Sequence, residues 1–328
     1  MQLSFVQRMT VHQAHDLLLS LGCHPSGATL MAPKAIHLCI RIDDLLPQAA
    51  NILKQEMLAK GGEVAVPSSA LRLSSGRISC IVFGTLSQLE RLASALEEQP
   101  FELPDLASRL RLLCALTGSR PSWLPCETGE ANVGGLIDCD IQTTGVHDIV
   151  ANSIAHAWSL MEQRCSFLVV EGSAESIVSR VVALLDHKAS CPVAIWIHGT
   201  APLAMETTTP LLLEPGNQHP SVFPVDAPVF AICKDSDPIG FLLALSSDSV
   251  DMERLFVTFT ASTATKPAAL PRLDCVIMRE IDIAQISVAT QASALACFME
   301  LGAQAIITDC PSRIHQLLTA IRENPWRS

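Results

Sequence analysis

The 328-residue sequence contains no tyrosine, and aromatic residues make up only 4% of it. Proteins that bind single-stranded nucleic acid stack the bases on aromatic side chains, and few are available here. The formal net charge of −11 also opposes contact with a phosphate backbone. We therefore expect no nucleic-acid partner.

Long hydrophobic runs are also missing, although the mean hydropathy is +0.34. The longest runs, such as FLVV, PVAIWI and FLLAL, have the length of strands, whereas a membrane-spanning helix needs about 20 apolar residues. Such runs are typical of buried parallel strands. The N-terminus lacks a basic start followed by an apolar block, so we expect no secretory signal, no membrane partner and a cytoplasmic location.

Paired cysteine motifs are absent as well. The twelve cysteines are scattered and none forms a CxxC pair. Disulfide frameworks are more typical of short secreted chains, so we expect these cysteines to be reduced, small buried residues. No metal site is predicted, because no pair of ligands has the usual spacing.

The pattern that is present is an alternation of helices and strands, interrupted once. Residues 1–116 read as a small α/β domain, and residues 117–134 as a linker rich in Pro, Gly, Ser and polar residues. Residues 135–328 contain eight strand candidates: GLIDCDI, SFLVVEG, CPVAIWIHG, PLLLEPG, APVFAIC, RLFVTFT, DCVIMREI and QAIITD. Most are followed by a helix or a helix remnant, so we predict a short, divergent (β/α)8 barrel after an α/β accessory domain.

Three segments of the first domain carry a family resemblance: MAPKAIHLCIRI, AANILKQEMLAKGGEVAV and FGTLSQLERLASALEEQPFEL. Together they resemble the N-terminal extension of some bacterial dihydropteroate synthases, in the pterin-binding superfamily. The final stretch, ISVATQASALACFMELGAQAIITDCPSRIHQLLTAI, resembles that family's closing strand and flanking helices. The resemblance implies a folate-pathway transferase that joins a pterin pyrophosphate to p-aminobenzoate, with Mg²⁺ as the family's metal and a homodimer formed through the barrel.

The residues at the predicted strand ends depart from the family pattern. Trp196 and Thr258 stand where the family has aspartates that contact the pterin, and Asp138 stands near a family asparagine. Arg279 is loosely retained, whereas the arginine and histidine of the eighth strand, which would hold the pyrophosphate, are replaced. The candidate pocket residues are Asp138, Asp140, Glu171, Trp196, His198, Glu214, Lys234, Thr258, Arg279 and Asp309.

These departures make the predicted site less suited to a pterin pyrophosphate. An indole N–H only donates hydrogen bonds, so Trp196 cannot replace a carboxylate that accepts them from a pterin ring. Five of the candidates are carboxylates, and together they would repel a pyrophosphate unless a metal intervened. A mouth that gathers Asp138, Glu214 and Asp309 would favour activity, whereas one filled by Trp196 and Phe259 would favour a silent barrel.

Three functions fit these observations. The first is a divergent dihydropteroate synthase-like protein that is catalytically silent or assembles with an active paralogue. The second is an active synthase with a reshaped site. The third is another metal- or pterin-dependent enzyme on the same barrel, with a pterin or another small molecule as its ligand.

Overall fold

The structure is a computed structural model. It describes residues 9–72, 76–118, 131–140, 145–186, 189, 191–197, 211–214, 229–233, 238–247, 255–261, 270, 273–300 and 303–322. The chain divides into two compact units, Met1–Arg120 and Pro121–Ser328. The predicted linker at 117–134 falls mostly on residues outside the described ranges, so its extent stays a prediction.

The first unit is an antiparallel sheet covered by helices on one face. Its three strands lie in the order β1, β3, β2, so β3 is central and the other two are edges. The elements are α1 (Val11–Ser20), α2 (Pro25–Met31), β1 (His37–Leu45), α3 (Pro47–Ala59), β2 (Glu63–Ala65), β3 (Ile78–Thr85), α4 (Leu86–Leu96) and α5 (Leu103–Gly118).

The segment NILKQEMLAKGGEVAV forms most of α3, the turn after it and β2. Leu53 and Met57 of α3 are fully buried, which confirms the predicted apolar face. Gly61 has a φ of 79°, a left-handed conformation that favours glycine and ends the helix. Lys60 and Glu56 form an ion pair at 2.8 Å, one turn apart. The segment therefore belongs to the scaffold of this unit.

The second unit contains a closed barrel of eight parallel strands, which confirms the predicted fold class. The strands are β4 (Asn132–Asp138), β5 (Phe167–Gly172), β6 (Val193–Ile197), β7 (Leu211–Leu213), β8 (Val229–Ile232), β9 (Leu255–Thr260), β10 (Cys275–Ile277) and β11 (Ala305–Thr308). The described helices are α6 (Val146–Glu162), α7 (Glu175–Asp186), α8 (Pro238–Ser247), α9 (Glu280–Gln285), α10 (Val288–Glu300) and α11 (Pro311–Arg322).

The barrel strands alternate between an interior layer and an outer layer. The interior is apolar, and the rings of Phe230 and Phe256 stack there with their centroids 4.5 Å apart. The residues between them point outward, where Ile137 and Val170 join a second apolar cluster with α6 and α7. This alternation decides which side chains at the strand ends reach the mouth of the barrel.

One predicted strand was misplaced. We expected the first barrel strand to begin at Gly135, but β4 begins at Asn132. Asn132 lies beside Ala305 at the start of β11, and its N–H donates to the carbonyl of Gln304 at 2.8 Å. Pairing with the last strand thus extends β4 into the predicted linker.

No helix in the described part of the chain is long and apolar enough to cross a membrane.

Candidate functional site at the carboxyl ends of the barrel strands

The candidate side chains follow the interior positions of the barrel strands. Glu171 comes two residues after interior Val169, and Asp309 comes two residues after interior Ile307. Because side chains alternate along a strand, such residues continue the interior row towards the mouth. The same spacing holds for Asp138, Trp196, Glu214, Thr258 and Arg279.

Four of the predicted residues share one cleft of about 220 Å³. This volume is below the ~300–1,000 Å³ typical of small-molecule sites. The cleft is lined by Leu136, Asp138, His156, Glu171, Arg279, Glu280 and Asp309. Its described charged lining is therefore one guanidinium and four carboxylates, beside the imidazole of His156.

Two of these charged residues, Arg279 and Glu171, form an ion pair. A terminal nitrogen of Arg279 donates to Oε2 of Glu171 at 2.6 Å. The Glu171 side chain is only 2% exposed, and the Arg279 side chain is 32% exposed. The guanidinium carbon also lies 5.6 Å from the centre of the Trp196 ring, within the range of a cation–π contact. Arg279 is thus held by a buried carboxylate and an aromatic ring.

Trp196 connects this pair to Glu214. Its indole N–H donates to Oε1 of Glu214 at 2.9 Å. Glu214 does not line the cleft that contains Asp138 and Asp309. Of the three carboxylates whose convergence would favour activity, this cleft brings together Asp138 and Asp309, while the Trp196 indole binds Glu214.

Asp140 and Asp309 accept hydrogen bonds from the backbone at helix starts. Oδ1 of Asp140 accepts from the backbone N–H and the hydroxyl of Ser173, at 2.9 Å and 2.8 Å, just before α7. Oδ1 of Asp309 accepts from the N–H of Glu280 at 2.7 Å, at the first residue of α9. Carboxylates at such positions satisfy exposed donors and favour the helix dipole, so these contacts support the loops.

Thr258 is fully buried and turned towards its own strand. Its hydroxyl donates to the carbonyl of Phe256 at 3.4 Å, the long end of the hydrogen-bond range. Phe259, the next residue, has the outward parity and is absent from the interior cluster. Of the two aromatic residues whose presence in the mouth would favour a silent barrel, Trp196 belongs to the interior cluster and Phe259 does not. The predicted candidates His198 and Lys234 lie outside the described residues.

Two described cysteines near the strand ends, Cys139 and Cys233, have raised pKa values. Burial, with a smaller contribution from nearby Asp274, raises the pKa of the Cys233 thiol to about 12. Cys139 lies beside Asp138, and burial raises its pKa as well. A thiol that stays protonated at neutral pH is a poor nucleophile.

Three lining residues were missed from the sequence, the apolar Leu136 and two that carry polar groups, His156 and Glu280. Glu280 follows Arg279 directly, so its place at the strand end gave a usable signal. His156 lies in the middle of α6, where the alternation of barrel strands says nothing about it. The sequence around a half-buried histidine in a helix does not indicate whether its side chain lines a cleft or packs against neighbouring residues.

The described residues do not fit a resident metal ion. No group of three His, Cys, Asp or Glu side chains within the described ranges could hold one. Glu171 is paired with Arg279, and Asp309 accepts from a backbone N–H. The Mg²⁺ implied by the family resemblance therefore has no protein-built site among these residues.

Comparison with known proteins agrees with the resemblance in the sequence. A stretch of 182 residues is 24% identical to a probable bifunctional folylpolyglutamate synthase/dihydropteroate synthase of Halobacterium salinarum, covering 54% of this chain and 22% of that protein. A stretch of 106 residues is 28% identical to the bifunctional dihydropteroate synthase/dihydropteroate reductase of Helicobacter pylori, covering 32% of this chain and 28% of that protein. The chain has an eight-stranded parallel barrel and is similar in sequence to proteins that contain a dihydropteroate synthase. No protein-family model matches it.

Solved dihydropteroate synthases are similar to the chain at low identity. The Xanthomonas albilineans enzyme in complex with 7,8-dihydropteroate is 14% identical with a TM-score of 0.42, covering 61% of this chain and 96% of that one. The Yersinia pestis enzyme is 9% identical with a TM-score of 0.41, covering 59% and 92%. The chain matches about a quarter of the length of the two bifunctional relatives.

Proposed function

We propose that this chain is a dihydropteroate synthase-like protein that does not catalyse the ordinary condensation, acting as a silent paralogue or as the partner of an active one. The observation that carries the proposal is the ion pair between Arg279 and Glu171 at 2.6 Å. The cleft's described guanidinium is already paired with a carboxylate of the same chain, which offsets its charge towards a substrate anion.

The charge balance of the cleft supports the same conclusion. A pyrophosphate needs cations, a metal or a helix N-terminus to offset its charge. Here Asp138, Glu280 and Asp309 surround the neutralised pair. Like charges at close range repel, so the described lining disfavours an anionic substrate.

The pterin side of the site is also altered. The Trp196 N–H is directed to Glu214, and the Thr258 hydroxyl donates to its own strand. Neither provides the carboxylate that would accept hydrogen bonds from a pterin ring. Leaving such ring donors unpaired in a buried site costs about 1–3 kcal/mol each.

The direct test is an assay of the purified chain with a pterin pyrophosphate and p-aminobenzoate. We expect no dihydropteroate above background, and no rescue of a strain that lacks the synthase. A dihydropteroate synthase assayed in parallel is the positive control. Adding the chain to that enzyme then separates a silent paralogue from a partner subunit. A partner subunit changes the rate of the active enzyme or co-elutes with it.

A reshaped active synthase is the second candidate. It is favoured by one observation, that Asp138, Glu171, Arg279 and Asp309 do converge on a single cleft. Turnover that is abolished by Arg279→Ala would establish this candidate and exclude the silent one. Turnover that survives Arg279→Ala would point to a contaminating enzyme.

A further inference from the structure

The two edges of the sheet in the first unit are unequal. The edge strand β2 is three residues long, whereas the edge strand β1 has nine residues, His37–Leu45. An edge strand presents unpaired backbone donors and acceptors, and natural proteins protect such edges by keeping them short or charged. Within the described residues, β1 is therefore the long edge of this sheet.

One face of β1 is apolar and only partly covered. Leu38, Ile40 and Ile42 alternate along the strand and pack at the margin of the unit's core. Their neighbours on the central strand, Cys80 and Val82, are buried to 2% exposure or less. The apolar face thus continues to the edge and ends there incompletely buried.

The strand has an approximate symmetry about Ile40. If a second copy paired antiparallel about this residue, Ile40 would face its own equivalent and Leu38 would face the partner's Ile42. On the other face, His37 would lie opposite the partner's Asp43, and Cys39 opposite the partner's Arg41. This register places apolar residues together and sets no like charges opposite each other.

Neighbouring registers are less favourable. Pairing centred on Arg41 would put two guanidinium groups opposite each other, and centring on Asp43 would do the same with two carboxylates. Centring on Cys39 would set His37 opposite Arg41. Centring on Ile42 would bring Ile40 against Asp44. A register centred between two residues would set the apolar face of one copy against the charged face of the other, because a one-residue slip exchanges the faces of a strand.

A bulge limits the pairing at one end. The register with β3 shifts between Ile42 and Leu45, and Asp44 has a φ of 61°. Arg77 holds this bend, donating to the carbonyl of Asp44 at 2.7 Å. The regular part of the edge is therefore His37–Ile42, which contains the stretch from Leu38 to Ile42 that is symmetric about Ile40.

We propose that β1 is a dimer interface, in which two copies of this chain pair antiparallel about Ile40 and join their sheets into one of six strands. The contact is isologous, with a two-fold axis through the Ile40 pair. Strand addition of this kind takes its affinity from backbone hydrogen bonds and its register from side chains.

An engineered cross-link tests both the surface and the register. Arg41→Cys places a new thiol opposite the native Cys39 of the second copy, and Cys39 is exposed and free. After mild oxidation with a low-molecular-weight disulfide, we expect most of this variant to run as a covalent dimer on non-reducing gels. Wild-type protein should sediment at twice the 35.2 kDa of one chain and dissociate on dilution.

Two controls make the result decisive. Cys39→Ser combined with Arg41→Cys should return cross-linking to the wild-type level, which excludes other thiols such as the exposed Cys297. Glu63→Cys is the matched variant, because Glu63 and Cys39 flank the same residue, Phe83, on opposite edges of the sheet. A monomer in sedimentation, equal cross-linking of Glu63→Cys, or a dimer that Arg41→Cys does not trap would each overturn the proposal.

Discussion

At the scale of single residues, Arg279 has the largest number of described partners at the barrel mouth. It pairs with Glu171, covers the Trp196 ring and donates its backbone N–H to Asp282 at 3.2 Å. We expect Arg279→Met to destabilise the protein by about 2–4 kcal/mol, because it leaves a buried carboxylate without its counter-ion. Urea denaturation measures this loss.

A double variant separates the charge from the packing. Replacing both members of the pair, as in Glu171→Met with Arg279→Met, removes the uncompensated charge, so much of the stability should return. If the double variant is as unstable as the sum of the single ones, the two side chains do not act as a pair.

The ion pair also predicts an effect on anion binding. In Glu171→Gln the guanidinium loses its charged partner while the side-chain shape is kept. We expect this variant to bind inorganic pyrophosphate at least about ten-fold more tightly than wild type, equivalent to ~1.4 kcal/mol. Isothermal titration calorimetry measures both affinities.

The matched control is Glu280→Gln. Glu280 lines the same cleft, but its described contacts do not include Arg279. Glu280→Gln changes the net charge by the same amount as Glu171→Gln. It should raise the affinity for pyrophosphate less. Equal gains in the two variants would mean that the overall field of the cleft, and not the pair, excludes anions.

At the scale of elements, α3 and β3 are fitted together around Met57. A Cβ on Gly62 would lie 2.8 Å from the backbone carbonyl of Phe83, besides meeting the Met57 side chain. A Cβ on Gly84 would meet only the flexible ends of Met57 and Gln88. We therefore expect Gly62→Ala to cost about 1–3 kcal/mol, and Gly84→Ala to cost less.

Thermal unfolding of the two variants checks this order. Gly27→Ala in α2 is a suitable control, because the nearest neighbouring atom would lie 3.8 Å from the new Cβ. Shortening the Met57 side chain should relieve most of the destabilisation caused by Gly84→Ala. It should relieve only part of the destabilisation caused by Gly62→Ala, because the Phe83 carbonyl remains close to the new Cβ. The opposite order would show that the helix can move away from the sheet.

The elements themselves were largely predictable from local patterns. Apolar spacing is typical of the buried face of α3, and the Thr85–Gln88 spacing is typical of the capping box that the structure contains. Continuous apolar runs located the barrel strands, because strands buried on both sides are apolar throughout. The exact start of β4 was not predictable, since it depends on pairing with β11 at the other end of the barrel.

Four residues of the described cleft could be proposed from the sequence, but their contacts could not. Strand-end positions follow from alternation, so Asp138, Glu171, Arg279 and Asp309 could be proposed together. That Arg279 pairs with Glu171, 108 residues away, depends on side-chain conformations that sequence spacing does not specify. For the same reason, the diversion of Glu214 to Trp196 was not foreseen.

At the scale of the whole molecule, the barrel has an apolar interior layer that is separate from the polar residues at its mouth. The interior layer is made of apolar side chains from all eight strands, with Trp196 as its uppermost aromatic member. The polar residues at the strand ends lie beyond that layer. Such a barrel can lose substrate-binding residues and keep its fold, which is how a silent member of a catalytic family can persist.

The buried thiols predict how the stability of the whole molecule depends on pH. Burial raises the pKa of Cys114, Cys165 and Cys233 to about 12 each, and that of Cys80 to about 11. Unfolded thiols ionise near pH 8.5–9, so between about pH 9 and pH 12 the unfolded chain releases protons that the folded chain keeps. The free energy of unfolding should therefore be unaffected by these thiols below about pH 9 and should fall as the pH rises above it.

Urea denaturation across this pH range measures the slope. Cys233→Ala should reduce the alkaline loss, whereas Cys297→Ala, at an exposed position, should leave it unchanged. The absence of tyrosine helps the experiment, because no phenolate absorbance overlaps the ultraviolet signal of the thiolates that appear on unfolding. An alkaline loss that is equally steep in wild type and Cys233→Ala would assign it to other groups, such as lysines losing their ion pairs, and not to the buried thiols.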